Sequence, residues 1–338
     1  MGLIFIGAGL GRFENMTIEA LEEAKKCDKL YVDVYTSIWS DDFFEKLSQV
    51  VPNYVRADRK LLEDDVYRIL VEAKDKEVGI LVPGDPFIAT THSAVRTLAH
   101  RKNIPVKIIH GTSIISSAIS VSGLHVYKFG KPVTVPKTDD LQRLRTVLVT
   151  VQENLSRGLH TLLLLDTADD GLTAKDALAW LTEAAAHYGM GWLNKDTVVV
   201  VCAKLGSPQS KVDALPVNKV FGTPLPPPPH CIIIPSKLHF SEKEVMSTYS
   251  ELGFSEEHLG VNPLKNRVQT YVEKCRRILA QLSAKPEMGD YLRYVSSYVD
   301  DAEKFFEEGD VINSLLAIGY AEGLLDGLRM LKGVDFRW

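Results

Sequence analysis

The sequence is poor in the residues that would tie it to a metal, a disulfide framework or a nucleic acid. Its 338 residues hold 4 cysteines, Cys27, Cys202, Cys231 and Cys275, with no CxxC pair among them. Neither a zinc site nor a disulfide scaffold is implied, and reduced, mostly buried thiols are expected. His92, His110, His125 and His230 lie in four separate segments with no HxH or HExxH spacing, which argues against a metal centre. A GxSxG elbow and a GxxxxGK[ST] phosphate cradle are both missing, so hydrolase and nucleoside triphosphatase chemistry lose their usual support. Basic charge is not in excess: 39 Lys and Arg face 44 Asp and Glu, a formal charge of −5, unlike the footprint of a nucleic-acid binder. No apolar run is read as approaching the roughly 20 residues that span a bilayer, and the opening MGLIFIGAGLG carries no basic leader. A soluble, cytoplasmic protein without membrane or nucleic-acid partners is expected.

What the chain does contain is ordinary globular material, 45% apolar and 25% charged, long enough for two or three packed units. Through about residue 235, short apolar runs alternate with helical patterns. The runs at 3–6, 30–34, 78–82, 106–109, 161–165, 198–202 and 231–234 read as strands,. Helices are predicted at 17–27, 64–74, 93–101, 113–121, 141–156 and 174–187. This rhythm predicts α/β layers with buried strands. The turn-rich stretch 123–136 interrupts it and reads as a join between two α/β lobes, and clefts between lobes favour small ligands. PLPPPP at 224–229 reads as a stiff lead-in to the last strand, because proline has no N–H to give a ladder. After Asn262-Pro263 the strands stop, and helical patterns follow at 264–283, 288–308 and 310–331. Tyr291, Val295, Tyr298, Val299, Ala302, Phe305 and Phe306 form an apolar stripe there. Ala317, Gly319, Ala321, Gly323 and Gly327 read as a site of close helix packing.

Two glycine motifs mark candidate ligand loops. FIGAGLG places Gly7, Gly9 and Gly11 after a strand, with Asp33 at a distance that suits a ribose-binding carboxylate in dinucleotide folds,. The spacing is GxGxG, not GxGxxG, and equally suits the first loop of a methyltransferase or a plain tight turn. PGDPFIATTH, residues 83–92, sets Gly84, Asp85 and Pro86 where a buried strand hands over to a helix. Further strand ends carry Leu10, Ser113-Ile114 after His110-Gly111, Leu165-Asp166, Ala203 to Gly206, and His230. Ligands of α/β sheets sit beyond such ends. The pattern predicts a cleft lined by backbone and apolar side chains, suited to a flat adenosine-bearing ligand.

Five blocks in order, GAGLG, PGDPFIATTH, HGTSIISSAISVSGLHVYKFG, GLHTLLLLDT and PPHCIIIP, resemble the diphthine synthase family through residues 1 to about 262. That family belongs to the tetrapyrrole methylase-like group, whose two α/β lobes hold S-adenosylmethionine between them. The resemblance implies a two-lobed α/β fold over 1–262, with lobes at about 1–125 and 126–262, followed by a small all-α domain over 263–338. The segment SLLAIGYAEGLLDGLRMLKGV gives that last domain a likeness to an uncharacterised archaeal helical family.

Matched block by block, the resemblance implies Leu10, Asp85, Ile88, Ser113, Ile114, Leu165, Leu205 and His230 as neighbours of S-adenosylmethionine, with no metal. Each has a blander role: Leu10, Ile88, Ile114 and Leu165 as core, Ser113 as a helix cap, Asp85 as a turn residue, His230 as a satisfied strand-start histidine. The implied reaction methylates the amino group of a 3-amino-3-carboxypropyl histidine in translation elongation factor two, and the implied assembly is a homodimer. No catalytic side chain is assigned, because methyl transfer needs chiefly a deprotonated, aligned amine. His92, Asp166 and Tyr127 lie in family-like blocks and are the groups that could take up its proton. The rival readings are a corrin or precorrin methyltransferase of the same fold and a non-catalytic, translation-associated binding module.

Overall fold

A computed structural model describes residues 1–249, 263–283 and 288–332, together with Val334 and Phe336. The chain divides into two compact units, Met1–Asn154 with Leu159–Gly260, and Leu155–Gly158 with Val261–Trp338. The boundary expected at residue 262 lies outside the described residues.

The first unit holds two five-stranded sheets. In the first, β1 (Gly2–Gly7), β2 (Lys29–Asp33), β3 (Tyr54–Ala57), β4 (Glu77–Val82) and β5 (Val106–Ile109) lie in the order β3-β2-β4-β1-β5, all parallel. Its central strands β1 and β4 read as largely apolar runs because both of their faces are buried,. Leu3 and Phe5 of β1 pack on one side with Ile69 and Leu70 of α3 (Tyr67–Glu72) and Val95 and Ala99 of α4 (Ser93–Arg101). Ile4 and Ile6 pack on the other with Ala20 and Ala24 of α1 (Ile18–Lys26) and Phe43 and Leu47 of α2 (Phe43–Val50). The alternation follows directly from the two-residue period of a strand.

The second sheet takes the order β6-β7-β10-β8-β9, from β6 (Val133–Val135), β7 (Thr161–Leu165), β8 (Val198–Ala203), β9 (Lys211–Pro216) and β10 (His230–Ile234). Only β6 and β7 pair in parallel; β10 is antiparallel to both neighbours and β9 to β8. As a result His230 pairs with Ala203, and Cys231 with both Cys202 and Leu164. The first residues of β10 therefore stand beside the last residues of β7 and β8. Helices α6 (Leu141–Ser156), α7 (Ala174–His187) and α8 (Val217–Val220) intervene. Helix α5 (Ile114–Ser122), which follows β5 in the chain, joins the core of this second sheet: its Ala118 is buried with Leu162, Val198, Val200 and Ile233.

One fully buried carboxylate gathers two of the sequence blocks. Glu242, in α9 (Phe240–Thr248), accepts hydrogen bonds from the backbone N–H groups of His125 (2.8 Å) and His239 (2.7 Å) and from the Lys128 ammonium. His160 donates to it from Nε2 (3.1 Å) while its Nδ1 accepts the Ser236 N–H (2.9 Å). Burial pushes His160 down to about 4, so the ring is neutral. For Glu242 burial acts upward, but Lys128 and the two backbone donors outweigh it and hold the carboxyl at about 2. The lysine and histidines of GLHVYKFG and GLHT thus serve this structural centre.

In the second unit, α10 (Pro263–Leu282), α11 (Gly289–Glu307) and α12 (Val311–Lys332) enclose their own core. Val268, Val272, Cys275, Ile278 and Leu282 meet Leu292, Val295, Val299 and Ala302, with Ile318, Ala321, Leu325 and Leu328. Arg276 of α10 ties α11 through Asp300 and Glu303. Two expectations change here. A Cβ on Gly319, Gly323 or Gly327 would meet nothing within 4 Å, so these glycines face open space and not a helix contact; buried Ala321 carries the close packing. Helix α12 is also long and apolar enough by length and composition to cross a membrane, with a mean hydropathy of 1.2 over an 18-residue window within Val311–Leu331. It does not read as an unbroken apolar run in the sequence because glycines and a few charged residues interrupt it. In the structure its buried positions pack against α10 and α11.

The Glu242 centre sets an acid limit on stability. Both depressed values favour the fold at higher pH: the His160 contribution is complete above 6.5 and is lost as pH falls toward 4, and the Glu242 contribution is complete above 4.5 and is lost toward 2,. Thermal denaturation between pH 7 and 3 is expected to show Tm falling from about pH 6.5 downward. Glu242→Gln is expected to lower stability at pH 7 by about 3 kcal/mol and to flatten the decline below pH 4.5.

Candidate active site

Three strand ends of the first sheet crowd together at its carboxyl edge. A Cβ on Gly7, the last residue of β1, would stand 2.4 Å from Gly111 N and 2.8 Å from Gly84 O. A Cβ on Gly111 would stand 2.3 Å from the same Gly84 oxygen. The loops after β1 and β4 are then laced by Gly84 N–H to Gly9 O (2.6 Å) and Gly9 N–H to Gly84 O (3.3 Å). Gly84 itself has φ +81 and open space where its Cβ would lie, so bare backbone faces outward there.

That space is a cavity of about 210 Å³. All eight residues implied by the sequence resemblance line it: Leu10, Asp85, Ile88, Ser113, Ile114, Leu165, Leu205 and His230. The blander roles also hold for Ser113, Asp85 and His230, but not for Ile88, which is 43% exposed and no core residue. Ser113 caps α5, accepting the Ile115 N–H at 3.2 Å. Asp85 accepts the Phe87 N–H (3.1 Å) and lies 2.8 Å from Nδ1 of the exposed His110 ring. His230 accepts the Ala174 N–H at Nδ1 (3.0 Å) and donates from Nε2 to Pro226 O (2.7 Å). Burial lowers its pKa, so it is a neutral wall residue with both nitrogens committed. PLPPPP therefore does more than lead into β10, since Pro229 also lines the cavity.

A second, wider cavity of about 760 Å³ shares Leu10, Gly11, Leu205 and Pro229 with the first. Arg12, Trp39, Asp169, Asp170, Lys204 and Gln209 are among its other walls.

Sequence reasoning missed several lining residues. Thr36 and Ser37 come from the loop after β2, Thr134 from the short β6, Thr167 from the loop after β7, and Cys202 and Cys231 from a cross-strand pair. The threonines carried no signal because hydroxyls are common in any loop. The Cys202 sulfur and burial together hold the Cys231 thiol well above its ordinary value, so it is protonated and unreactive.

The three candidate proton acceptors separate. Asp166 lines the first cavity, its oxygens accepting the Ala168 and Lys137 N–H groups. Tyr127 is 94% exposed, and His92 is buried and does not line the cavity. Asp33 does not present a carboxylate to a ribose. It is fully buried, and its oxygens accept the N–H groups of Tyr35 (2.9 Å) and Thr36 (3.1 Å) and the Thr36 hydroxyl. Among the described residues, no three His, Cys, Asp or Glu side chains gather as a metal site.

The glycine contacts predict a contrast. Gly111→Ala drives a Cβ into backbone on two sides and is expected to prevent soluble folding or to lower Tm by more than about 5 °C. Gly84→Ala meets no atom and is expected to cost only the left-handed strain, about 1 kcal/mol. Parallel thermal melts check both.

Residues 2–219 match the family described as "Tetrapyrrole (Corrin/Porphyrin) Methylases", and residues 267–334 match "Protein of unknown function (DUF357)". The chain is 38% identical over 260 residues to the diphthine synthase of Methanocaldococcus jannaschii, covering 74% of this chain and 99% of that protein. It is 41% identical over 244 residues to that of Staphylothermus marinus, covering 70% and 89%. A crystal structure of diphthine synthase aligns with a TM-score of 0.67 and 32% identity over 76% of this chain and 98% of its own. That of the putative diphthine synthase from Entamoeba histolytica aligns with a TM-score of 0.66 and 27% identity, over 74% and 99%. With this cavity at the strand ends of paired sheets and these relatives, the chain belongs to the tetrapyrrole methylase family and, within it, to the diphthine synthases.

Proposed function

We propose that the first cavity binds S-adenosylmethionine and that the acceptor, the 3-amino-3-carboxypropyl histidine of translation elongation factor two, reaches it from the second cavity. As a diphthine synthase the chain is a methyltransferase of diphthamide biosynthesis. The observation that carries the site assignment is convergence: eight residues spread from position 10 to position 230 line one cavity. Its donor set fits the ligand. Leu10, Ile88, Ile114, Leu165 and Leu205 offer apolar surface to a flat base, and Ser113 and the bare backbone at Gly84 offer polar groups to its hydroxyl, amino and carboxyl groups,.

When bound, S-adenosylmethionine supplies an electrophilic methyl carbon on a sulfonium. The chain's own part is to hold the amine in line and to exclude water, which can supply much of the rate enhancement. Attack of the neutral amine on the methyl carbon breaks the carbon–sulfonium bond and gives an ammonium, which must shed a proton before it can accept a further methyl group; Asp166, alone of the three candidate acceptors in bordering the cavity, is placed to receive that proton. We further propose that residues 1–262 form the catalytic part and 263–338 a helical domain. In this reading the enzyme is a cytoplasmic homodimer that binds no membrane and no nucleic acid, in keeping with family likeness and a formal charge of −5.

Labelled S-adenosylmethionine is expected to transfer methyl groups to elongation factor two bearing the aminocarboxypropyl histidine and not to the unmodified factor. Mass spectrometry of the modified peptide locates the label. Transfer to a tetrapyrrole instead, with none to the factor, would overturn the acceptor assignment. Asp166→Asn is expected to lower kcat less than about tenfold if orientation dominates; a loss of about a hundredfold or more would make Asp166 a general base.

A further inference from the structure

Asp33 and His92 are both fully buried, and neither lines the cavity. His92 Nε2 lies 3.2 Å from Asp33 Oδ2, within ion-pair reach, yet makes no hydrogen bond of its own there. A buried carboxylate is costly unless its oxygens are satisfied, and Asp33 meets that demand with the loop that follows it. Its carboxylate takes the N–H groups of Tyr35 and Thr36 and the Thr36 hydroxyl, and its own carbonyl takes the Trp39 indole N–H (2.7 Å). The loop so wound supplies Thr36 and Ser37 to the first cavity and Ile38, Trp39 and Ser40 to the second.

The same loop is held from two further sides. Toward PGDPFIATTH, the Tyr35 hydroxyl shares a hydrogen bond with Thr91 (2.7 Å), and Asp33 backs against His92. Toward the second sheet, the Thr167 hydroxyl donates to the Thr36 carbonyl (3.0 Å). The chain from His92 through Asp33 and Thr36 therefore reaches Thr167, so that the loop after β2 and the loop after β7 meet at the cavity.

We propose that Asp33 is a positioning residue for the methyl transfer: by presenting the Thr36 carbonyl to the Thr167 hydroxyl, it sets the separation of the two cavity walls. This rests on the proposed function for its ligand but not for its geometry. Asp33 touches neither donor nor acceptor. Its effect passes through Thr36.

The test combines Asp33→Asn, Thr167→Val, Thr167→Ser and the Asp33→Asn/Thr167→Val double variant of the full chain. Thr167→Val is expected to raise the KM for S-adenosylmethionine about 3- to 10-fold, as for loss of one hydrogen bond, with Tm within about 2 °C of the parent. Thr167→Ser is expected to restore most of that loss. The double variant is expected to match the worse single variant, since both act on one contact, whereas two independent roles would multiply. Amide hydrogen exchange over residues 34–40 is expected to speed up in both single variants. Multiplicative effects, no rescue by serine, or unchanged exchange in Thr167→Val each overturn the inference. Should Asp33→Asn not fold, the Thr167 pair and the exchange data decide alone. A parent enzyme that binds no S-adenosylmethionine overturns the proposed function, and with it the role in methyl transfer; exchange then still decides whether Thr167 holds the loop.

Discussion

Everything at the candidate site depends on how closely three backbones approach at the end of the first sheet. With side chains at Gly7 and Gly111 the turns after β1, β4 and β5 would be forced apart, because each Cβ would sit under 3 Å from backbone atoms of the next strand. Without them, the loops can exchange hydrogen bonds at Gly9 and Gly84 and turn outward together. The floor of the cavity is thus a property of absent side chains. Its walls are built from residues whose loops leave that crowded edge in different directions.

The second sheet meets this edge by a different route. Its strands are mostly antiparallel, so the start of β10 lies with the ends of β7 and β8, and His230 enters the same wall as Leu165 and Leu205. Buried polar groups then hold the parts in place on both sides. Glu242 draws His125, Lys128 and His160 to α9 on one, and Asp33 winds the Tyr35–Trp39 loop on the other. Each carboxylate is internal and has several donors, the condition under which a buried charge is tolerated. Blocks that carry a family resemblance can therefore be structural supports as easily as cavity walls: the histidines of GLHVYKFG and GLHT bind Glu242, while the aspartate and isoleucine of PGDPFIATTH line the cavity.

Much of this was legible in the residue order. The runs that became β1, β4, β7, β8 and β10 are continuous stretches of Val, Ile and Leu, as strands covered on both faces must be. Of the four edge strands only β5 was legible, at 106–109: β3 exposes Val55, β6 has three residues, and β9 mixes Lys211 and Asp213 with a final proline. An edge strand buries too little to leave a pattern. The eight residues implied by the resemblance line one cavity because strand ends in layered α/β folds converge in general,; strand ends marked the segments, and the resemblance picked the residues within them. Thr36 and Thr167, which join the walls, had no such marker.

By itself the sequence determined the succession of elements, the helical character of the last part of the chain and the apolar, glycine-edged nature of the cleft. These follow from local periodicity and turn chemistry, which neighbouring residues settle among themselves. Only the tertiary structure decided which polar groups are internal and what each one holds. Asp33 read as a possible ligand and became a support, and Gly319, Gly323 and Gly327 read as a packing face and are open. His92 and Tyr127 read alike as proton acceptors, yet one is sealed and the other bare. Such outcomes turn on contacts between residues as far apart as Thr36 and Thr167 or His125 and Glu242, and no local pattern encodes whether a charge at one position will find its partner at another.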